Sequence, residues 1–294
     1  MKHVPTMLFG LVGLGLLAVS CASNSRDAED PTEIIRASTS TRVDPSTIEF
    51  GPDDIVWQAH TGGGDLPETS LAAEVPSLTI YGDGRLFLSV PGVDRRFDQP
   101  VPMLFDQLDT AALTRFLAAA EGTGLFEPHV DFGEPAEEEL PTTTVRLRRN
   151  GDELAIQAYG LGARFDVDLT EEQIEQREAL RQLLSAAEQL AVEPEPWVPE
   201  RVRILQFADD APFVQSPEAD PEDPLPVWSG PELDEILTRG EGPGLACGEL
   251  DGTEARDVFE SGLQNPTPRW DVDGATRTLV MSVVLPGDVA CSGP

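Results

Sequence analysis

Lysine is almost missing from this chain of 294 residues: Lys2 is the only one, and the rest of the basic charge is arginine. Twenty basic side chains stand against 53 acidic ones, a formal net charge of −33 at neutral pH. Proteins bind nucleic acid by displacing phosphate counterions with Lys and Arg, so this balance excludes nucleic acid as a partner. Histidine is nearly as scarce, with His60 and His129 the only two beyond the first few residues. Either has the chemistry of a general base or a ligand, but isolated histidines are far more often structural or solvated. Three cysteines, Cys21, Cys247 and Cys291, form no Cys-x-x-Cys pair. There is no Gly-x-Ser-x-Gly elbow and no His-Glu-x-x-His. Gly62-Gly63-Gly64-Asp65 does not continue into the Gly-Lys-Ser/Thr of a phosphate loop and reads as a turn. Asp271-Val272-Asp273-Gly274 opens like a calcium loop, yet Ala275 and Ser282 stand where oxygen ligands are needed. The sequence thus assigns no catalytic residue, no metal ligand and no cofactor.

A long apolar run is also missing. Met7 to Val19 falls short of the roughly 20 residues that cross a bilayer and fits the apolar core of a leader peptide. It is followed by Leu17-Ala18-Val19-Ser20-Cys21, which resembles the lipobox of bacterial lipoprotein precursors. The resemblance implies a signal peptide over 1–20, cleavage before Cys21, and a diacylglyceryl thioether on the Cys21 thiol. Acyl chains contribute about 0.8 kcal/mol per buried CH₂, and two of them anchor stably. The expected location is therefore the outer face of the cell membrane, with the membrane itself as a partner through the lipid. The alternative is a secreted protein cleaved near Ala22. Residues 21–50 carry the lipidated cysteine and a tether rich in Ser, Thr, Asp and Pro, a composition expected to be disordered. With Cys21 lipidated, Cys247 and Cys291 remain as an even pair in an oxidising compartment, and a disulfide is the expectation.

The remaining chain reads as α+β, antiparallel hairpins packed with helices, in two domains. The first, 51–193, opens with a strand over Asp54 to His60 in which Ile55 and Trp57 face one way and Val56 and Gln58 the other. Leu78 to Tyr81 and Arg85 to Val90 flank Gly82-Asp83-Gly84, and Thr143 to Arg148 and Glu153 to Tyr159 flank Asn150-Gly151-Asp152. Both are hairpin spellings. A helix capped by Asp109 or Thr110 carries Leu113, Phe116, Leu117 and Ala120, and Gly122 and Gly124 end it. Thr170-Glu171-Glu172-Gln173 spells a capping box ahead of a second helix about twenty residues long with Ile174, Leu180, Leu183, Leu184, Ala187 and Leu190 on one face. The proline-rich stretch 194–200 reads as a linker. In the second domain, 201–294, Arg201 to Phe207 alternates as a strand and Ser229 to Glu232 spells another capping box. A helix follows with Ala255, Val258, Phe259 and Leu263 on one face, and the last hairpin turns at Asp273-Gly274.

Taken in order, Gly62-Gly63, Leu78-Thr79-Ile80-Tyr81-Gly82-Asp83-Gly84, Tyr159-Gly160-Leu161-Gly162, Trp228, Cys247 and Leu285-Pro286 before Cys291 are similar to markers of a group of secreted or lipid-anchored actinobacterial proteins. The resemblance implies an envelope protein and carries no functional residue, because each marker is a turn or a core position. Trp197 and Trp228 lie in proline-rich sequence and are candidates for a partner surface. The function expected first is a non-catalytic binding module for another envelope protein or a wall polymer. The alternatives are a carboxylate-dependent envelope hydrolase, for which the sequence offers no way to choose two among 53 carboxylates, and a cation-responsive stabiliser or sensor using the acidic loops at 131–139 and 209–223.

Overall fold

The computed structural model describes residues 50–90, 99–162, 167–212, 224–238, 246–265, 267–288 and 291. The expected leader, Cys21 and all of the expected tether but Phe50 lie outside the described residues.

The chain is α+β. The larger sheet takes β1 (Ile55–Gly62), β2 (Leu78–Tyr81), β3 (Arg85–Ser89), β4 (Met103–Gln107), β5 (Thr142–Arg149), β6 (Asp152–Tyr159) and β7 (Glu195–Trp197) in the order β6-β5-β1-β2-β3-β4-β7. The smaller one takes β8 (Arg201–Phe207), β9 (Ala246–Asp251), β10 (Arg269–Val272) and β11 (Ala275–Val283) in the order β10-β11-β8-β9. Every strand pair in both sheets is antiparallel. Among the described residues five helices accompany them: α1 (Glu68–Ala72), α2 (Thr110–Gly122), α3 (Glu171–Glu188), α4 (Leu233–Ile236) and α5 (Gly252–Gln264).

Local chemistry accounts for the hairpins. Asn150 and Gly151 join β5 to β6 with φ of +52° and +90°, and Asp273 and Gly274 join β10 to β11 with +52° and +81°. Two consecutive positive-φ residues give a turn whose twist matches that of the strands it joins. Asp109 caps α2 by accepting from the Ala112 N–H at 2.7 Å. Thr170 and Gln173 complete a reciprocal capping box at α3. The capping box expected at Ser229 does not form: α4 is a single turn that starts after Glu232, without a side-chain cap.

β1 departs from simple alternation. Ile55 pairs with Tyr81 but Trp57 pairs with Ile80, so two steps on β1 match one on β2. This bulge buries Val56 and Trp57 together, not on opposite faces as the alternation predicts. Trp57 meets Phe116 of α2 edge-on at 5.0 Å. On that face Ala59, Ile80, Leu86, Val145 and Leu147 pack under α2 and α3 in one apolar cluster.

The opposite face carries Tyr81, Phe87 and Met103, which share a second cluster with Val202 and Ile204 of β8, Met281 and Val283 of β11, and Val258 and Phe259 of α5. The expected division into 51–193 and 201–294 is thus not a division of the core. The described residues group as one compact unit, and the expected linker at 194–200 supplies β7, paired with β4 through Met103 and Trp197. Pro196 is tolerated there because β7 is an edge strand, where a missing N–H costs no ladder bond.

Candidate functional site

β1 is longer than its pairing with β2. On the β5 side the ladder runs on to Gly62 opposite Thr142, but on the β2 side it stops at Ala59 opposite Leu78. His60, Thr61 and Gly62 therefore lack a strand neighbour on one flank, and the connection through α1 fills part of that notch. The remainder is a cleft of about 420 Å³. Its wall includes Gly63, Asp65, Ser70, Glu74 and Glu139.

Glu74 joins the parts. Its Oε1 accepts from the Gly63 N–H at 3.3 Å, and its Oε2 lies 3.5 Å from His60 Nε2. The carboxylate occupies the space a side chain at position 62 would need, since a Cβ there would lie 2.1 Å from Glu74 Oε2. Gly62 leaves this space to the carboxylate, and Gly63 and Gly64 are required by their φ of +84° and +82°. Among the described residues three carboxylates line the cleft and no arginine does. Such a wall favours ligands that present N–H, O–H or cationic groups. His60 itself does not line the cleft and reaches it only through its contact with Glu74.

A second polar group lies at the C-terminal end of the fold. Tyr81, fully buried, donates its hydroxyl to the Pro286 carbonyl at 2.8 Å. Burial, with help from the nearby Asp288 charge, pushes its phenol far above the usual range. Arg201 Nη1 donates to the Asp288 carbonyl at 3.1 Å and its Nε to the Glu249 carboxylate. Burial also raises the Asp288 carboxyl, against the opposing pull of Arg201, Arg203 and Arg146. Burial lowers the Arg203 guanidinium. Its Nε donates to Ser282 Oγ and its Nη2 to the Ala72 carbonyl.

Cys247 and Cys291 form the expected disulfide, with Cα atoms 5.7 Å apart. The two tryptophans do not wall the cleft. Trp197 is half-buried and packs edge-on against Phe87 at 4.9 Å, and Trp228 meets Trp270 at 5.7 Å with its indole N–H donated to the Pro231 carbonyl. Both spend most of their apolar surface on the shared core. His129 is exposed and lies apart from the cleft lining. Asp271 serves its turn, accepting from the Gly274 N–H at 2.7 Å. Among the described residues no group of three His, Cys, Asp or Glu is placed to hold a metal ion.

Of the acidic loop at 131–139, only Glu139 reaches the cleft. Asp131 is held below the usual carboxylate range by the Gly133 N–H and the Gln173 side chain. Sequence reading passes over Glu74 altogether, because it lies fourteen positions from His60 in no recognisable spacing. The glycine run beside His60 was the available signal. Among the described residues no helix is long and apolar enough to cross a membrane. No family model matches the chain, and neither a curated protein nor a solved structure is significantly similar to it.

Proposed function

We propose that this chain is a lipid-anchored, extracytoplasmic binding module of the cell envelope, and that the cleft beside β1 is where it binds. The lipobox-like Leu17 to Cys21 supports the anchor. The Cys247–Cys291 bond supports the compartment, since reducing cytosols keep such thiols apart. The observation that carries the binding reading is the cleft itself. Asp65, Glu74 and Glu139 line the site together with Gly62, Gly63 and Gly64, and Glu74 is preset by the Gly63 N–H. Preset acceptors lose little freedom on binding. The ligand is a donor-rich segment of another envelope protein or of a wall polymer. Affinity capture from native envelope tests this, comparing the wild type with Glu74→Arg and with a Cys21→Ala control. Recovery of the same material by wild type and Glu74→Arg removes the cleft from the reading.

A second reading, a carboxylate-dependent hydrolase, is favoured by one contact, the 3.5 Å approach of His60 Nε2 to Glu74 Oε2. It requires turnover of envelope glycans or peptides by the wild type that Glu74→Gln abolishes. Binding without turnover leaves the first reading standing.

A further inference from the structure

The cleft and the disulfide meet in one small apolar cluster. Ala72 and Ala73 at the end of α1 pack with Leu205 and Phe207 of β8, Val280 of β11 and Cys247 of β9, all buried. Two hydrogen bonds pin α1 to the same region: Arg203 Nη2 donates to the Ala72 carbonyl at 3.0 Å, and Thr69 Oγ1 donates to the Pro212 carbonyl at 2.9 Å. The residues that follow this anchorage directly are Glu74 and Val75 of the cleft wall, and Ser70 lines the cleft from within α1. Cys247 thus belongs to the same buried cluster as the two alanines that precede Glu74, with Leu205 of β8 between its strand and β11. Alanine has no rotamer with which to absorb a shift, and close-packed interiors pass displacement on.

We propose that the Cys247–Cys291 disulfide sets the shape of the cleft, so that thiol–disulfide exchange at this bond switches the cleft between two binding states. The proposal rests on the reading of the cleft as the binding site. Cys291 is the exposed partner and Cys247 the buried one, so an incoming dithiol attacks the Cys291 sulfur. A mixed disulfide forms there and the Cys247 thiolate leaves and takes up a proton. The second thiol of the reagent then displaces Cys291. The reagent ends as its own disulfide, having given two electrons and two protons, and the protein ends with two thiols. With its tie to the tail cut, the Cys247 side chain loses one constraint on its rotamer within the cluster. Ala72 and Ala73 follow, and Glu74 moves relative to Gly63 and His60.

The test needs no ligand, so its failure is distinct from failure of the binding reading. The full chain carrying Cys21→Ser is observed by NMR before and after complete reduction with dithiothreitol. On reduction the Gly63 amide and the His60 ring signals shift, and exchange of the Gly63 N–H quickens about tenfold. Signals of Leu117 and Leu180 under the α2–α3 layer stay in place. Unmoved Gly63 and His60 signals in fully reduced, folded protein overturn the proposal. If reduction melts the smaller sheet, Val280→Ala decides with the bond intact. Shifts at Gly63 and His60 then support the coupling, and unchanged signals overturn it.

Discussion

The Tyr81 hydroxyl and the Pro286 carbonyl are 205 positions apart in sequence and 2.8 Å apart in space. β2 of the larger sheet is thereby joined to the segment that follows β11 of the smaller one. Gly287 lies close to the Asp53 carbonyl, and Arg85, stacked 4.8 Å over the Tyr81 ring, holds Asp53 and Asp83 at 2.7 Å each. Both ends of the folded chain are thus tied to one tyrosine.

Tyr81→Phe leaves the Pro286 carbonyl without its donor and is expected to lower stability by about 1 kcal/mol, read from urea unfolding. The raised phenol has a second consequence. Above the ordinary tyrosine value, about 10, the unfolded chain ionises where the native one does not, so stability falls as pH rises. With only two tyrosines in the chain, absorbance titration should show one phenol ionising only as the protein unfolds in alkali. Tyr81→Phe should remove that step.

Asp288 has the same sign at lower pH. Its folded value is raised, so between the unfolded value, about 3.9, and the folded one the native state holds more protons. Wild-type stability therefore declines as pH rises through that window. Asp288→Asn should gain on the wild type as pH goes from about 4 to 7. Urea midpoints for the two proteins across this range measure it, and parallel curves contradict the assignment.

Arg177 is the largest buried charge in the helix layer, completely covered although it lies on α3. Its guanidinium donates to the carbonyls of Phe132, Tyr159 and Gly160. Arg177→Met strands three carbonyl acceptors and is expected to cost about 1–3 kcal/mol for each that stays unsatisfied. Arg177→Lys recovers little of that, because an ammonium cannot match the planar fork that serves three carbonyls. Chemical denaturation of both variants checks the ranking.

Gly62→Ala puts a methyl where the Glu74 carboxylate lies. Glu74 is the free end of a flexible side chain, so it swings aside, and the stability loss should stay below about 1 kcal/mol. The cleft is lost as a preset site all the same. The expected outcome is a near-normal melting temperature with a displaced His60 ring signal and no envelope material captured.

Cys291→Ser opens a loop spanning 44 positions. On the chain-entropy model this costs about 4 kcal/mol, read from denaturation with and without reductant. Reductant should lower wild-type stability and leave the variant unchanged.

The hairpins were legible because their turns are spelled locally: Asn150-Gly151 and Asp273-Gly274 need no distant partner to choose their conformation. So were α2 and α3, whose caps and apolar spacing are written within one turn. α1 was not, since five residues cannot display a helical period. β4 was missed because Met103–Gln107 has no alternation of its own and is a strand by virtue of lying between β3 and β7. Arg177 reads as a surface charge until the chain at Phe132 and Gly160 is brought over it. The cleft was illegible for the same reason. It exists because two ladders on β1 end at different residues, and ladder length is a property of neighbours.

Three residues of β7 have a consequence for the ancestry of this chain. Because Glu195–Trp197 belongs to the larger sheet while the next strand belongs to the smaller, the proline-rich stretch is a poor crossover point for recombination. A gene fused there to a foreign second half would present Tyr81, Phe87 and Met103 to a surface never selected to cover them. The two sheets are therefore one heritable unit, expected to diverge together and to be gained or lost whole.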